Sequence, residues 1–497
     1  MSHTLGIDIG TYASKGVIVD GDGQIIAQAE RPHEMIIPQP GWAEHRPDED
    51  WWGDFCFLSN TLLEKSGIDP SDIKAVACSA IGPCMLPVDE DGEALMNGVL
   101  YGVDNRAAAE VEELTEEIGE DVLLARCGNA LTSQSVGPKI LWLKRNRPHL
   151  FEQMDKIHTS TTYMVRKLTG RTVIDHYTAA NFSPLYDVEL QGWTTDLADH
   201  IVDEASLPEI LWSNEIAGEV TAQAAAQTGL AAGTSVLTGT IDAAAEAISV
   251  GVMAPGQMMM MYGSTIFIIM PTAQRVSDSR LWYAPWLFEG QHACMAGLAT
   301  SGTLTHWFRD RFALELDRDT AFATLAEEAQ QSPPGANGLI MLPYFSGERT
   351  PIHDPLAKGT LFGLNLTHSR GDIYRAMLEG IALGTGDVID TYRDAGAAPQ
   401  SLHAVGGGVK NRVWSQATSD ICGMPQVVRE KSIGASFGNA FLAATAIGSA
   451  TMADIDAWNP VVETIDPDAT TAGLYAERLS QFRSLYENTK DLMHALG

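Results

Sequence analysis

Asp8-Ile9-Gly10-Thr11, with Lys15 four residues further on, sets a carboxylate, a permissive glycine and a hydroxyl inside one short apolar stretch. Groups of that kind hold a phosphate and its metal ion. Residues 5–9 read as a strand, Gly10 lets the backbone come close to a ligand, and residues 16–20 read as the returning strand of a hairpin. The segment is no P-loop, since the chain lacks G-x-x-x-x-G-K-[ST] and no helix opens here. By itself the motif suits an ordinary turn equally well.

Three later segments bear on that choice. Residues 236–240 form an apolar strand ending in small residues, which delivers Asp242 to the start of an alanine-rich helix at 243–248. Asp242 there is either a helix N-cap or a general base that takes a hydroxyl proton as the oxygen attacks a phosphoryl group. Gly263-Ser264-Thr265 turns between apolar runs at 258–262 and 266–270, a second hairpin whose amides and hydroxyls suit β- and γ-phosphates. Gly406-Gly407-Gly408, with Asn411 beyond it, follows an apolar strand at 401–405 and leaves room for a flat ring or a phosphate against bare backbone. Singly these are a cap, a turn and a loop.

Elements must place these residues. Hairpin strands are predicted at 4–20 and 25–31, further strands at 73–79, 99–101, 235–240, 338–342 and 401–405, and helices at 47–65, 107–118, 137–145, 161–168, 303–311, 318–328 and 371–392. Tyr475, Leu479, Phe482, Tyr486 and Met493 keep helical spacing, so an amphipathic helix is expected over 474–496. The glycine- and proline-bearing stretch 251–256 divides the chain into domains of residues 1–250 and 251–497, and the hairpin plan restarts after it, as in an ancient duplication. Strand hairpins with βα units in each half predict an α/β fold.

Composition narrows the partners. The 497 residues carry 32 Lys+Arg against 64 Asp+Glu, a formal charge of -32 that opposes binding to nucleic acid or to an anionic membrane. An enzyme of phosphorylated metabolites built from so few bases must use backbone amides and a metal ion where phosphates sit. Cys56, Cys78, Cys84, Cys127, Cys294 and Cys422 form no C-x-x-C pair, as expected of reduced, buried thiols in the cytoplasm. Residues 1–6 carry no secretory signal, and the apolar stretch 258–270 is too short and broken to span a bilayer.

In order, the four segments give phosphate hairpin, acid, second phosphate hairpin and glycine-rich adenosine loop. On that plan the chain resembles the actin and heat-shock-chaperone ATPase superfamily, and within it the FGGY carbohydrate kinases. Gly359-Thr360-Leu361-Phe362-Gly363-Leu364, seven residues, then Asp372-Ile373-Tyr374-Arg375-Ala376-Met377-Leu378-Glu379 fits that family's C-terminal signature. Residues 342–351, and Gly41-Trp42-Ala43-Glu44 with Asp50-Trp51-Trp52, are similar to segments of the family's xylulokinase group. The resemblance implies two ribonuclease-H-like (actin-like ATPase) α/β domains with an interdomain cleft. It also implies ATP-dependent phosphorylation of a sugar hydroxyl, most simply that of a ketopentose such as xylulose. Another ketose, a polyol or an aldonate is the alternative, and an actin-like ATPase switch is the alternative of another class.

The resemblance further implies roles. Asp8 holds the Mg²⁺ shell, Gly10 and Thr11 contact phosphate, and Asp242 is the catalytic base. Gly263, Ser264, Thr265 and Gly302 line the polyphosphate path, while Gly407, Gly408 and Asn411 flank adenosine. Lys139 and Trp142 are packing and capping residues, and Lys15 is either a phosphate contact or a solvated hairpin lysine. On the substrate side the chain departs from the group. Ile81-Gly82-Pro83-Cys84 replaces Gln-Met-His-Gly, so Gly82 and Pro83 belong to a stiff apolar wall in the sugar loop. Asp104 and Arg106 keep only the end of Trp-Asn-Asp-x-Arg, and they are either sugar contacts or an internal ion pair. The partners expected are a sugar and ATP, with no nucleic acid and no membrane, and a homodimer is compatible with the resemblance.

Overall fold

The computed structural model describes residues 2–496; Met1 and Gly497, the outer ends of the two expected domains, lie outside the described residues. In the first half, β1 (His3–Ile9), β2 (Ala13–Asp20) and β3 (Ile25–Pro32) form an antiparallel meander. Helix α1 (Gly53–Ser66) then leads to β4 (Ile73–Ala80), which lies parallel to β1. After helices α2 (Val136–Asn146) and α3 (Ser160–Thr169), β5 (Ile216–Glu219), β6 (Ser235–Leu237) and β7 (Thr240–Ile241) complete the sheet in the order β5-β6-β4-β1-β2-β3, with β7 beside β4. Helix α4 (Asp242–Ser249) follows β7 directly.

The second half repeats the plan. β8 (Gln257–Tyr262), β9 (Ile266–Thr272), β10 (Trp282–Pro285) and β11 (His292–Leu298) are antiparallel neighbours, and helix α5 (Gly302–Phe312) follows them. Helix α6 (Arg370–Asp394) precedes β12 (Ser401–Val405), parallel to β8; α7 (Arg412–Cys422), β13 (Gln426–Arg429), α8 (Ala435–Ala446), β14 (Val461–Ile465) and α9 (Ala472–Ala495) finish the chain. The order β11-β9-β8-β12-β13 reproduces β3-β2-β1-β4-β6 in both sequence and sense, with β10 added outside. β1, β4 and β8 are buried along nearly their whole length, as strands covered on both faces must be. β10 and β11 escape the sequence reading because His292-Ala293-Cys294-Met295-Ala296-Gly297-Leu298 shows neither alternation nor β-branched residues; sheet pairing overrides its weak strand preference.

Helix α8 belongs to the second half by sequence and to the first by packing. Its sequence, ASFGNAFLAATA, is apolar or small all round and buried through Ala444, because the helix lies between β1 and α4. Both contacts are at backbone distance. A Cβ on Gly6 of β1 would meet Ser436 O at 1.9 Å, and one on Gly438 would meet Ala245 O at 1.9 Å. Thr4 Oγ1 donates to Ala440 O at 2.9 Å across the same seam.

The family-signature helix α6 is anchored at its ends. Ser369 and Asp372 form a reciprocal capping box, Ser332 and Asn337 also donate to Asp372, and together they hold that carboxyl at about 2. One turn on, Arg375 pairs with Glu379 at 2.6 Å, and Tyr475 of α9 donates to Glu379 at 2.9 Å. Asp372, Arg375 and Glu379 of that signature thus cap and brace the helix. The α8 seam gives a stability prediction: Gly438→Ala forces the backbone of α4 to move and costs at least about 3 kcal/mol, the upper range for overpacking. Gly473→Ala, where a Cβ meets nothing within 4 Å, is neutral or stabilising by up to ~1 kcal/mol. Urea unfolding of the two variants beside the native chain measures both.

Candidate active site

The residues singled out above lie at the carboxyl ends of strands, where open α/β sheets bind ligands. Asp8 ends β1, Asp242 follows β7, Gly263 follows β8 and Gly406 follows β12. Asp8 sits opposite Ser79 of β4, whose Oγ donates to Asp8 Oδ1 at 2.7 Å. Ser79 Oγ in turn accepts from Asn439 Nδ2 at 2.8 Å, and the same amide donates to Ile7 O at 2.8 Å. A directed chain thus runs from the middle of α8 to the first carboxylate. Burial pushes Asp8 up to about 6, against the Ser79 hydrogen bond and the charge of Lys15, its register partner on β2.

β7 pairs with the end of β4, Thr240 beside Ser79 and Ile241 beside Ala80, so the next residue, Asp242, is delivered beside Asp8. Asp242 Oδ1 accepts from Ala243 N at 2.7 Å, which makes it a member of the first turn of α4. Burial and the negative charge of Asp8 push its carboxyl up to about 8. Glu246, one turn along the same helix face, is raised to about 7, by burial first and Asp8 second. The sequence reading missed Glu246, though its i+4 spacing from Asp242 was the available signal. Its Oε2 lies 2.6 Å from where a Cβ on Gly434 would stand, at the entry to α8. Asn439 carried no sequence signal, since its partners Ile7 and Ser79 lie in the other half of the chain.

Around this carboxylate pair, Thr11 Oγ1 and Tyr101 OH lie 3.2 Å apart, and Tyr101 is raised by burial, with the charge of Asp242 adding to it. Lys139 is buried on α2 and donates to Leu100 O at 2.6 Å and Tyr101 O at 3.0 Å; it holds this loop from behind, and burial lowers it to about 8. Lys15 is exposed on β2.

Several sequence assignments change. Ile81 is 1% exposed, donates its N–H to Ile9 O and accepts from Ser160 Oγ, so it is core and no part of a sugar-facing wall. Pro83 is buried too, and Gly82 is the half-exposed member of that loop. Asp104 and Arg106 have side chains with 0% exposure. Asp104 accepts from Ala43 N and from Arg106 Nε and Nη2; Arg106 also reaches Glu44 at 2.9 Å and stacks 4.0 Å from the Trp42 ring. The structure shows this pair as an internal ion pair that holds the Trp42 loop, with Arg106 Nη1 buried and without a hydrogen-bond partner among the described residues.

In the second half, the carbonyls of Gly263 and Ser264 accept from Gly302 N and Ser301 N, both at 3.0 Å. A Cβ on Gly302 would meet Gly263 O at 2.4 Å. Gly302 therefore fastens the second hairpin to the start of α5 instead of offering its N–H to phosphate. The hairpin keeps Ser264 exposed and Gly263 and Thr265 half-exposed. Gly406 adopts φ 100 and packs against Tyr262 O, and Gly408 lies under Trp414, so Gly407 is the glycine of the three with open space above it. Asn411 caps α7, accepting from Trp414 N at 3.3 Å. No hydrogen bond joins the Asp8–Asp242 cluster to the Gly263 and Gly407 cluster among the described residues.

Two like-built domains, a carboxylate pair at the strand ends of one and a pair of glycine turns at those of the other define an actin-like ATP-dependent phosphotransferase. Comparison with known proteins gives the family. The N-terminal domain of the FGGY family of carbohydrate kinases matches residues 3–249, and the C-terminal domain matches residues 258–447. Xylulose kinase of Bacillus subtilis strain 168 is 28% identical over 501 residues, spanning 100% of this chain and 99% of its own. The crystal structure of xylulose kinase from Rhodospirillum rubrum superposes with a TM-score of 0.93 at 31% identity, covering 99% of this chain and 100% of that one. Glycerol kinase 2 of Thermotoga maritima is 26% identical over 464 residues, 90% of each chain. The chain belongs to the FGGY family of carbohydrate kinases and is an ATP-dependent sugar kinase, which removes the switch-protein alternative.

The raised carboxyls carry a stability prediction. A carboxyl whose folded pKa lies above its unfolded value stabilises the fold fully below the unfolded pKa, and that contribution is lost as pH rises through the folded one. For Asp242 the window runs from the ordinary carboxyl value of 3.8 to about 8. Asp242→Asn, in the absence of ligands, is therefore expected to raise Tm at pH 8 and to leave it nearly unchanged near pH 4. Calorimetry at the two pH values checks the sign.

Proposed function

We propose that the chain transfers the γ-phosphoryl group of ATP to a hydroxyl of a ketopentose of the xylulose kind, with Asp242 as the base. The observation that supports this reading most is the Asp8–Asp242 pair, two carboxyls close enough that the charge of one raises the other. An acid raised to about 8 is a stronger base toward an alcohol than an ordinary carboxylate, and a fraction of it is ionised at physiological pH. Asp242 accepts the hydroxyl proton as the oxygen attacks, while Thr11, Tyr101 and the hairpin amides orient the groups around it. The second hairpin, Gly263 to Thr265, takes the polyphosphate, and the open face of Gly407 takes the adenosine.

Magnesium fits the residues present. Asp8 offers a hard oxygen ligand, with Oδ1 already oriented by Ser79, yet among the described residues no three His, Cys, Asp or Glu side chains are grouped to hold a metal ion. That suits an ion bound through one carboxylate, water and phosphate oxygens. When bound it would neutralise charge on the transferred group. The xylulose assignment draws on the xylulose kinases of Bacillus subtilis and Rhodospirillum rubrum, and a polyol is the second reading, drawn from the Thermotoga maritima glycerol kinase. Cytoplasmic placement rests on the six free cysteines, five of them buried. Among the described residues no helix is long and apolar enough to cross a membrane.

The test is kinetic. Asp242→Asn should lower kcat by roughly two to four orders of magnitude with little change in nucleotide affinity. In the native enzyme kcat/KM should rise with pH to a plateau, because the base must be ionised, with an apparent pKa no higher than about 8. Near-normal turnover by folded Asp242→Asn would remove it from the mechanism. ADP release measured across ketopentoses, polyols and aldonates decides the substrate; a preference for glycerol or gluconate over every pentulose would replace the xylulose reading.

A further inference from the structure

Two buried histidines stand against the first phosphate hairpin, and the sequence reading gave neither a role. His33 follows β3, with a side chain 4% exposed, and His45 follows Glu44 in a two-residue strand. His33 Nε2 lies 3.0 Å from Gly10 O, and His33 Nδ1 lies 2.8 Å from Asp54 Oδ2. A carbonyl and a carboxylate can only accept, so both ring nitrogens must carry protons and His33 is an imidazolium. Asp54 is fixed as its counterion by Ser14 Oγ, which donates at 2.6 Å, and by Arg31 Nε at 3.1 Å. Burial opposes the charge on His33, but the hydrogen bond and charge of Asp54, with Asp50 further off, raise it above the ordinary histidine value.

His45 is the opposite case. Trp51 Nε1 is a donor only and points at His45 Nδ1 from 3.1 Å, so the proton sits on Nε2, which donates to Thr11 O at 3.1 Å. Burial and the neighbouring His33 charge lower His45 to about 4, against the pull of Asp50 and Asp54. The two rings meet edge to face with centroids 4.9 Å apart.

The carbonyls they hold belong to two consecutive peptide units, and the N–H ends of those units are Thr11 and Tyr12. Neither N–H donates to any protein acceptor among the described residues. A hydrogen bond to a carbonyl oxygen polarises its peptide unit and strengthens the N–H at the other end as a donor, most when the group donating to that oxygen is charged. We propose that His33, as a fixed imidazolium, and His45, as a neutral donor, are positioning residues that aim and polarise the Thr11 and Tyr12 amides toward a nucleotide phosphate. The proposal rests on the kinase reading above. It supplies positive charge at the phosphate site from a buried ring, in a chain with few basic side chains.

Asp54→Asn tests it with little change of shape. The Asn amide nitrogen donates to His33 Nδ1 and its oxygen accepts from Arg31, so the hydrogen bonds survive while the charge that demands an imidazolium is gone. Three readouts apply: imidazole NMR titration of His33, affinity for ADP and ATP by calorimetry at pH 7, and KM for ATP against KM for sugar. In the native protein His33 should be charged at pH 7; in Asp54→Asn it should be neutral, nucleotide affinity should fall about five- to tenfold, and KM for sugar should change less than twofold. His45→Gln, which keeps a donor for Thr11 and an acceptor for Trp51, should retain nucleotide affinity, whereas His45→Leu should lose it. A neutral His33 at pH 7 in the native protein, or undiminished nucleotide affinity in Asp54→Asn and His45→Leu, overturns the proposal and leaves the kinase reading intact. Failure of the native protein to bind ATP or ADP overturns both. Should Asp54→Asn not fold, the native titration and the His45 pair decide.

Discussion

The contact of α8 with β1 is the constraint from which the site follows. Gly6 and Gly438 remove the side chains that would otherwise keep the helix off the strand and off α4. Only at that distance can Asn439 reach Ile7 O and Ser79 Oγ, and only then is Asp8 held by a hydroxyl whose own acceptor position is filled from the other half of the chain. The same seam brings the start of α8 against Glu246. Position and charge at Asp8 are therefore set jointly by both halves, although every residue of the carboxylate cluster is encoded in the first.

Charge is handled in the same indirect way. The chain places Asp8, Asp242 and Glu246 together with the exposed Lys15 as the cation whose charge reaches Asp8 and Glu246; burial raises all three carboxyls, and the charge of Asp8 raises the other two further. Such a cluster is unfavourable in the free protein and becomes favourable when phosphate brings a cation with it. In the proposed mechanism, binding energy from the nucleotide and its cation is directed at relieving a repulsion that already exists. Behind the hairpin, the bases sit inward: His33 and Arg31 converge on Asp54, and Lys139 holds carbonyls of the Tyr101 loop.

What was legible in the sequence had local causes. The hairpins around Gly10 and Gly263 show as apolar strands broken by turn residues, and Asp242 shows as a lone acid between a strand and an alanine-rich helix. The duplicated plan followed from the two hairpins. What was not legible depended on residues distant in sequence. β11 reads as no strand until β9 and β10 flank it, and Asn439 is an ordinary helix residue until β1 and β4 lie beneath it. Asp104 and Arg106 had two readings that only Glu44, Ala43 and Trp42 separate. Gly302 matched a nucleotide-binding position, yet its N–H is taken by Gly263 O. In the family signature from Asp372 to Glu379, Asp372 caps a helix and Arg375 and Glu379 brace it, a role that appears only once α9 and the 332–337 loop lie beside it.

The return of α8 to the first sheet also sets a schedule for the nascent chain. The carbonyl of Ala440 that receives the Thr4 hydroxyl lies 436 residues later in the chain. At about 5–20 residues per second, the face of β1 that α8 will cover waits on the order of 20 to 90 seconds for its partner during synthesis. Until α8 is made, the amino-terminal half keeps an uncovered apolar sheet face, and Ser79 beside Asp8 lacks its Asn439 partner. The packing of the first half is thus completed by a helix that the second half encodes.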